Sequence, residues 1–112
     1  MLAESMLALI HEVVPGVSLK YNKYYIGISR DGIANLWVKF RPRKGHVIAE
    51  FRIPRSDETT ALIEAGDLEQ LAYDTRWGNY RIRLTQPDLA KHRDLLFELL
   101  QRASGIAPAS DE

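Results

Sequence analysis

The 112-residue sequence contains no cysteine, carries no net charge and has no long hydrophobic run. Without cysteine, structural disulfides and thiolate metal sites are excluded. Fifteen basic residues balance fifteen acidic ones, so the whole molecule has no net electrostatic attraction to nucleic acid. No stretch reaches the ~20 consecutive apolar residues of a membrane span. Residues 1–14 lack the basic start of a signal peptide, so we expect a cytoplasmic protein without a membrane partner.

The helix signals are apolar residues at helical spacing and capping residues beside them. Leu2, Met6, Leu9 and Val13 predict a first helix, which the Pro15-Gly16 pair ends. A second helix is predicted from the N-cap Ser56 to about Ala65, with Gly66 at its end. Another helical turn is expected over residues 67–73. The last helix is predicted to begin with a capping box from Thr85 to Asp88 and to end at Gly105.

Strand signals separate these helices and predict an α+β fold with the element order α-β-β-β-α-β-α. Residues 19–30 have a strand-like composition rich in tyrosine and isoleucine, and alternating apolar and polar residues mark three further segments, at residues 33–41, 46–54 and 80–85. We therefore expect a four-stranded, mainly antiparallel sheet with the helices on one face. These elements form one predicted domain, residues 1–105, and residues 106–112 are predicted to be a flexible C-terminal tail.

Turn residues fix the register of the predicted strands. A two-residue loop at Lys44-Gly45 pairs Arg43 with His46, which brings the apolar residues of both strands onto one face. At Asp31-Gly32 a two-residue loop would instead put Ile26 and Ile28 on the opposite face, so we predict a three-residue loop there. The central residues predicted to be buried are Leu36, Val38, Phe40, Val47, Ala49, Phe51 and Ile53.

Motifs for catalysis are absent from the sequence. It has no phosphate-binding glycine loop and no nucleophile elbow, and its three histidines fall on three different elements. Asp88 and His92 lie four residues apart on a predicted helix, a spacing typical of a surface contact. Glu50 and Arg52 resemble an acidic-x-lysine nuclease element, but arginine cannot be deprotonated and so cannot act as a base. We therefore predict no catalytic residue, no metal and no cofactor.

The outward face of the predicted sheet is basic and carries one tryptophan. Such a face is typical of a platform for single-stranded nucleic acid, in which arginines contact phosphates and an aromatic ring stacks a base. Two alternatives stay open. The face is a solvated surface with a Lys39–Glu50 ion pair and a Trp37–Arg52 cation–π pair, or it is a homodimer or other protein contact. The candidate binding residues on this face are Trp37, Lys39, Arg41, Arg52, Arg81 and Arg83.

A second candidate site is the predicted loop that contains Asp74, Arg76 and Trp77. Loops that combine an aromatic, a cation and a carboxylate are common places for ligand binding, here a small ligand beside Trp77. The alternative is structural, with Trp77 closing the edge of the core and Asp74 capping the turn.

Three stretches of the chain resemble a family of small uncharacterised domains labelled as predicted transport proteins. They are the runs at residues 23–28 (Lys-Tyr-Tyr-Ile-Gly-Ile), 76–82 (Arg-Trp-Gly-Asn-Tyr-Arg-Ile) and 87–89 (Pro-Asp-Leu). The family tends to have His-Trp-Gly-Asn-Gly where this chain has Arg-Trp-Gly-Asn-Tyr. Its members often stand alone or accompany nuclease-associated, restriction-like proteins. The resemblance implies a non-enzymatic accessory or binding module and no known reaction.

Overall fold

The computed structural model describes residues 2–14, 16–21, 23, 25–30, 33–34 and 37–106. Its helices are α1 (Leu2–Val13), α2 (Asp57–Ala65), α3 (Gln86–Lys91) and α4 (Arg93–Ile106). Its strands are β1 (Val17–Tyr21), β2 (Ile26–Arg30), β3 (Ile33–Ala34), β4 (Val38–Arg43), β5 (His46–Arg52), β6 (Glu69–Gln70) and β7 (Asn79–Leu84). The predicted α+β class is confirmed. Within the described residues, no helix has the length and apolar character needed to span a membrane.

Six strands form one antiparallel sheet in the order β1-β2-β4-β5-β7-β6, and the two-residue β3 pairs with β2 beside this path. The predicted four strands were therefore too few. Residues 19–30 do not form one strand: β1 and β2 are a hairpin in which Tyr21 pairs with Ile26. Residues 67–73 do not form a helical turn, because Glu69 and Gln70 pair with β7 as strand β6.

The hairpin of β4 and β5 has the predicted register. Arg43 pairs with His46, Phe40 with Ala49 and Val38 with Phe51. Gly45 lies in the left-handed region at φ 81°, which glycine adopts without the steric cost of a Cβ atom. All the predicted core residues of these two strands are buried, as is Ile53, whereas Leu36 lies outside the described residues.

The connection from β2 to β4 differs from the prediction. Arg30 pairs with Ile33, which is a two-residue connection and not the predicted three-residue loop. Farther along the same ladder, Ile26 pairs with Phe40. The segment from Ile33 to Phe40 is therefore three residues longer than the segment of β2 that it faces, from Ile26 to Arg30. An odd number of extra residues reverses the inward and outward phase of the strand. The interruption between Ala34 and Val38 therefore keeps Ile26 and Ile28 in the core, which the loop was predicted to do.

Trp37 lies at this interruption and is buried, with 1% of its surface exposed. The prediction that it projects from the outward face is wrong. Its carbonyl oxygen still accepts a hydrogen bond from the N–H of Arg52 at 2.9 Å, but its side chain belongs to the hydrophobic core together with that of Val38. Two consecutive residues face the core here because the alternation of a regular strand begins only at Val38.

The core lies between the helices and the inward rows of the sheet. Apolar residues of α1, α2 and α4 belong to the same cluster as Phe40, Phe51, Tyr80 and Ile82 of the strands. The last two helices contribute Leu96, Leu99, Leu100 and Ala103, which are buried, and Leu89, which is half-buried. The other sheet face carries Ile48, which is buried but lies outside this cluster.

Capping residues begin the helices where the sequence predicted. The Ser56 hydroxyl accepts a hydrogen bond from the N–H of Thr59, and Gly66 follows the end of α2. Asp88 accepts hydrogen bonds from the N–H and hydroxyl of Thr85, so this carboxylate completes a cap. The predicted last helix is two helices, because α3 ends at Lys91, with His92 as its C-cap, and α4 runs from Arg93 to Ile106. The rest of the predicted tail, 107–112, lies outside the described residues.

Candidate functional site

The register places a row of polar side chains across the sheet surface that faces away from the helices. Lys39, Glu50 and Arg81 lie side by side on β4, β5 and β7, and Arg41, Ile48 and Arg83 form the next row. Arg52 pairs with Asn79 in the same phase. We call this surface, with Arg43 and His46 at its end, the outer face.

Glu50 is the centre of the outer face, with 3% of its surface exposed. Its Oε2 atom accepts two hydrogen bonds, one from Arg41 Nε at 2.9 Å and one from Arg81 Nε at 3.0 Å. Charge-assisted hydrogen bonds of this kind are the strong ones. They explain how a carboxylate is buried on a sheet surface that no helix covers, since three cations surround it.

The second carboxylate oxygen of Glu50, Oε1, has weaker contacts than Oε2. Glu50 Oε1 is shielded from solvent and has no hydrogen-bond partner among the described residues, and Lys39 Nζ is 3.9 Å away. The predicted Lys39–Glu50 ion pair is thus present but is the longest of the three. Burial lowers the pKa of Lys39, and Glu50 offsets part of this effect, while Arg41 and Arg52 lower the pKa further. The outer face is therefore crowded with positive charge around Lys39.

Tyr25 supplies an aromatic surface to two of these cations. Lys39 Nζ lies 5.6 Å and Arg41 Cζ 5.7 Å from the centre of its ring. Both distances are within the range of cation–π contacts. Tyr25 lies in a segment that the sequence predicts as a strand, and no sequence signal marks it as a site residue. Only the pairing of Ile26 with Phe40, which brings β2 beside β4, puts Tyr25 next to Lys39 and Arg41.

The loop before β7 projects a second aromatic residue beside the outer face. Asp74 Oδ1 accepts hydrogen bonds from the N–H groups of Arg76 and Trp77, which is the capping role proposed in the structural alternative. Gly78 turns the chain at φ 75°, a left-handed conformation that favours glycine. Trp77 is left 62% exposed, so it does not close the core, and Arg76 lies over its ring at 5.2 Å.

Two clefts open on the outer face, and Arg41 lines both. The first, the Trp77 cleft, has a volume of about 310 Å³ and is lined by Lys39, Arg41, Arg52, Trp77 and Asn79. The second, the Tyr73 cleft, has a volume of about 410 Å³ and is lined by Arg41, Arg43, Glu50, Ala72, Tyr73, Asp74 and Arg81. The Trp77 cleft contains three cations and no carboxylate, so it is suited to an anionic ligand with an aromatic group.

The structure joins the two sites that the sequence predicted separately. Lys39, Arg41, Arg52 and Arg81 of the sheet line the same clefts as Asp74 and Trp77 of the loop. Trp37 is excluded because it lies in the core, and with it the predicted Trp37–Arg52 cation–π pair. Arg83 lies on the outer face but lines neither cleft, and it forms an ion pair with Glu69 at 3.7 Å.

Groups suited to metal binding or catalysis are scarce in the described part of the chain. Among those residues, no three His, Asp or Glu side chains are grouped so that they could hold a metal ion. His11 and His46 contact the backbone carbonyls of Val17 and Lys44, and His92 caps α3. What the arrangement offers instead is cationic and aromatic contact surface.

Comparisons with known proteins add no relative to this description. A scan against protein-family profiles and searches of curated proteins and of solved structures found no match to this chain.

Proposed function

We propose that this protein is a non-enzymatic module that binds single-stranded nucleic acid on its outer face. The Trp77 cleft carries the proposal, because it combines Lys39, Arg41 and Arg52 with an exposed indole and contains no carboxylate. The cations contact backbone phosphates, and Trp77 stacks an unpaired base. Asn79 also lines the cleft, but it is buried and its amide donates to Asp74 Oδ2, so we assign it no contact with a base.

The balance of charge at the clefts supports a polyanionic ligand. Glu50 lies on the outer face, but both hydrogen bonds to its Oε2 come from arginines, and the positive charges of these arginines neutralise its negative charge. Arg52 has no ion-pair partner among the described residues and is exposed beside Trp77. An unpaired arginine next to an aromatic ring is available to both a phosphate and a base.

A single strand suits this surface better than a duplex. Trp77 lies in a loop at the margin of the sheet, where a splayed base can reach its exposed ring. A base inside a duplex stack presents no free face to such a ring, whereas unpaired bases stack on it at a gain of about 1–3 kcal/mol each.

The test is fluorescence anisotropy with labelled single-stranded DNA and RNA of about 12 nucleotides, a length that one small module covers. We expect binding at low salt that weakens steeply as salt rises. Trp77→Ala should weaken binding roughly tenfold through lost stacking. Arg52→Ala should lower the slope of log affinity against log salt by about one through a lost phosphate contact.

The matched control is Arg93→Ala, which removes an arginine from α4, where Arg93 pairs with Glu12. It carries the same change of charge as Arg52→Ala and should bind like the wild type. No binding by the wild type at protein concentrations of about 100 μM, where even non-specific contacts are populated, would refute the proposal. The outer face would then be better explained as a protein contact, the homodimer included.

A further inference from the structure

We infer that Glu50 is a positioning residue that orients Arg41 and Arg81 to bind a phosphate group in the Tyr73 cleft. The inference rests on the proposed function and adds a second phosphate site, next to the Trp77 cleft. Simple charge counting predicts the opposite role for Glu50, since a carboxylate on a basic surface should repel a phosphate. The geometry around the carboxylate decides between the two roles.

The two arginines bind Glu50 through the same atom type. Arg41 and Arg81 each donate their Nε hydrogen to Glu50 Oε2, at 2.9 Å and 3.0 Å. A guanidinium held by Nε has its plane fixed, and its terminal Nη groups stay available for a second acceptor. Within the described part of the chain, these Nη groups have no hydrogen-bond acceptor.

The negative charge of Glu50 is withheld from a ligand. The residue is buried, Oε2 is occupied by two donors, and Oε1 is shielded from solvent. The arginines stand above it with more than a quarter of each side chain exposed. Asp74, the second carboxylate that lines the cleft, accepts hydrogen bonds from the N–H groups of Arg76 and Trp77 and from Asn79. The guanidinium groups are therefore the charged groups with donors available to a ligand. Without the carboxylate, the two guanidinium groups would repel each other and lose their common anchor.

Phosphate is the ligand chemistry that this arrangement fits. Guanidinium groups donate paired hydrogen bonds that match the oxygens of a phosphate, and several converge here. Arg43 lines the same cleft and adds a third cation. Because Arg41 lines both clefts, a phosphate in the Tyr73 cleft would neighbour one in the Trp77 cleft, as consecutive phosphates of one strand do.

The experiment compares Glu50→Gln with Glu69→Gln in the same anisotropy assay with labelled single-stranded DNA. Both variants remove one negative charge from the outer face, but Glu69 is exposed and forms an ion pair with Arg83 at 3.7 Å, away from both clefts. We expect Glu50→Gln to bind about tenfold more weakly, the loss of about one charge-assisted contact. Its salt slope should fall by about one. Glu69→Gln should bind as tightly as the wild type or more tightly.

The salt slope separates positioning from a structural role, because a partly unfolded sample loses active protein without changing the slope. Circular dichroism shows whether Glu50→Gln is folded. If it is not, Arg81→Lys decides, since it keeps the charge and loses the Nε anchor. Weaker binding with a smaller slope in Arg81→Lys supports the inference, and unchanged binding overturns it. Tighter or equal binding by folded Glu50→Gln overturns it too, while leaving the proposed function intact. Failure of the wild type to bind overturns both.

Discussion

Lys39 is the most deeply buried cation of the outer face, with 13% of its side chain exposed. Its pKa lies below the ordinary value of 10.5, chiefly because burial disfavours the ammonium ion. Arg41 and Arg52 act in the same direction, and Glu50 and Asp74 oppose them. A charged Lys39 therefore lowers the stability of the fold at neutral pH.

This pKa predicts how stability depends on pH. Between the lowered pKa of Lys39 and 10.5, the unfolded chain holds a proton that the folded protein has released. The unfolded state binds more protons in that window, so the free energy of unfolding rises with pH there. Lys39→Met removes this dependence. We expect the unfolding free energy of the wild type, relative to Lys39→Met, to increase as the pH approaches about 10.

Urea unfolding of both proteins at several pH values measures that difference. Burial also raises the pKa of Tyr73, but Tyr73 is present in both proteins, so its contribution to the difference cancels. A difference that stays constant from neutral pH to about 10 would mean that the ammonium of Lys39 is not desolvated.

Among the elements, the interrupted strand between β2 and β4 has the largest effect on the candidate site. It removes Trp37 from the outer face and leaves Trp77 as the exposed indole. A homodimer contact through the side chain of Trp37 is thereby excluded, because a buried side chain cannot form that contact in the folded chain. A homodimer through the outer face would have to use Trp77 instead.

Substituting the two tryptophans separates their roles. Trp37→Ala should lower the free energy of unfolding by about 3–5 kcal/mol, since it leaves a large cavity in the core. Trp77→Ala should change it by less than about 0.5 kcal/mol, as is usual for an exposed side chain away from the core. Chemical denaturation followed by circular dichroism measures both. Equal costs, or a larger cost for Trp77→Ala, would contradict the interrupted strand.

The sequence predicted those elements whose local signals are strong. Ser56 and Asp88 marked helix starts, and Lys44-Gly45 together with the alternation of β4 and β5 gave the register. The hairpin of β1 and β2 was missed because tyrosines and isoleucines flank its turn and hide it in one strand-like run. Strand β6 was missed because two residues are too few to show alternation.

The cations of the candidate site and Trp77 were predicted from the sequence, whereas Trp37 was placed on the wrong face and Tyr25 was missed. Regular alternation was enough to place Lys39, Arg41 and Arg81 on one face. Trp37 followed the same alternation in the sequence, and nothing local shows that three extra residues interrupt the strand. That interruption is set by long-range packing of Ile26 and Ile28, which a single strand pattern does not contain. The contact between the Trp77 loop and the sheet also depends on strand order.

For the whole molecule, zero net charge conceals a separation of charge. In the described part of the chain, the four helices hold eight acidic and three basic residues. Strands β4, β5 and β7 hold six basic residues and one acidic residue, which is Glu50. The helices cover one face of the sheet and the basic residues occupy the other. Negative and positive charge are therefore concentrated on opposite sides of the molecule, although the total charge is zero. Zero net charge therefore does not argue against an anionic partner for the outer face.

This separation predicts retention on a cation exchanger at neutral pH and low salt. The double variant Arg43→Ala/Arg52→Ala should elute at a lower salt concentration than the wild type, because both residues lie on the outer face and neither forms an ion pair with a described residue. The double variant Lys91→Ala/Arg93→Ala changes the net charge equally but on the helices, and should elute close to the wild type. Equal shifts in the two variants would show that retention follows net charge alone.

The placement of the two tryptophans also gives the protein two optical reporters. Trp37 lies in an apolar core and Trp77 in water, so their emission maxima differ and only Trp77 is open to quenching by iodide. Trp37 emission then follows global unfolding, and Trp77 emission follows occupancy of the cleft that it lines. One unlabelled sample can therefore report folding and ligand binding separately, with each Trp→Phe variant isolating one signal.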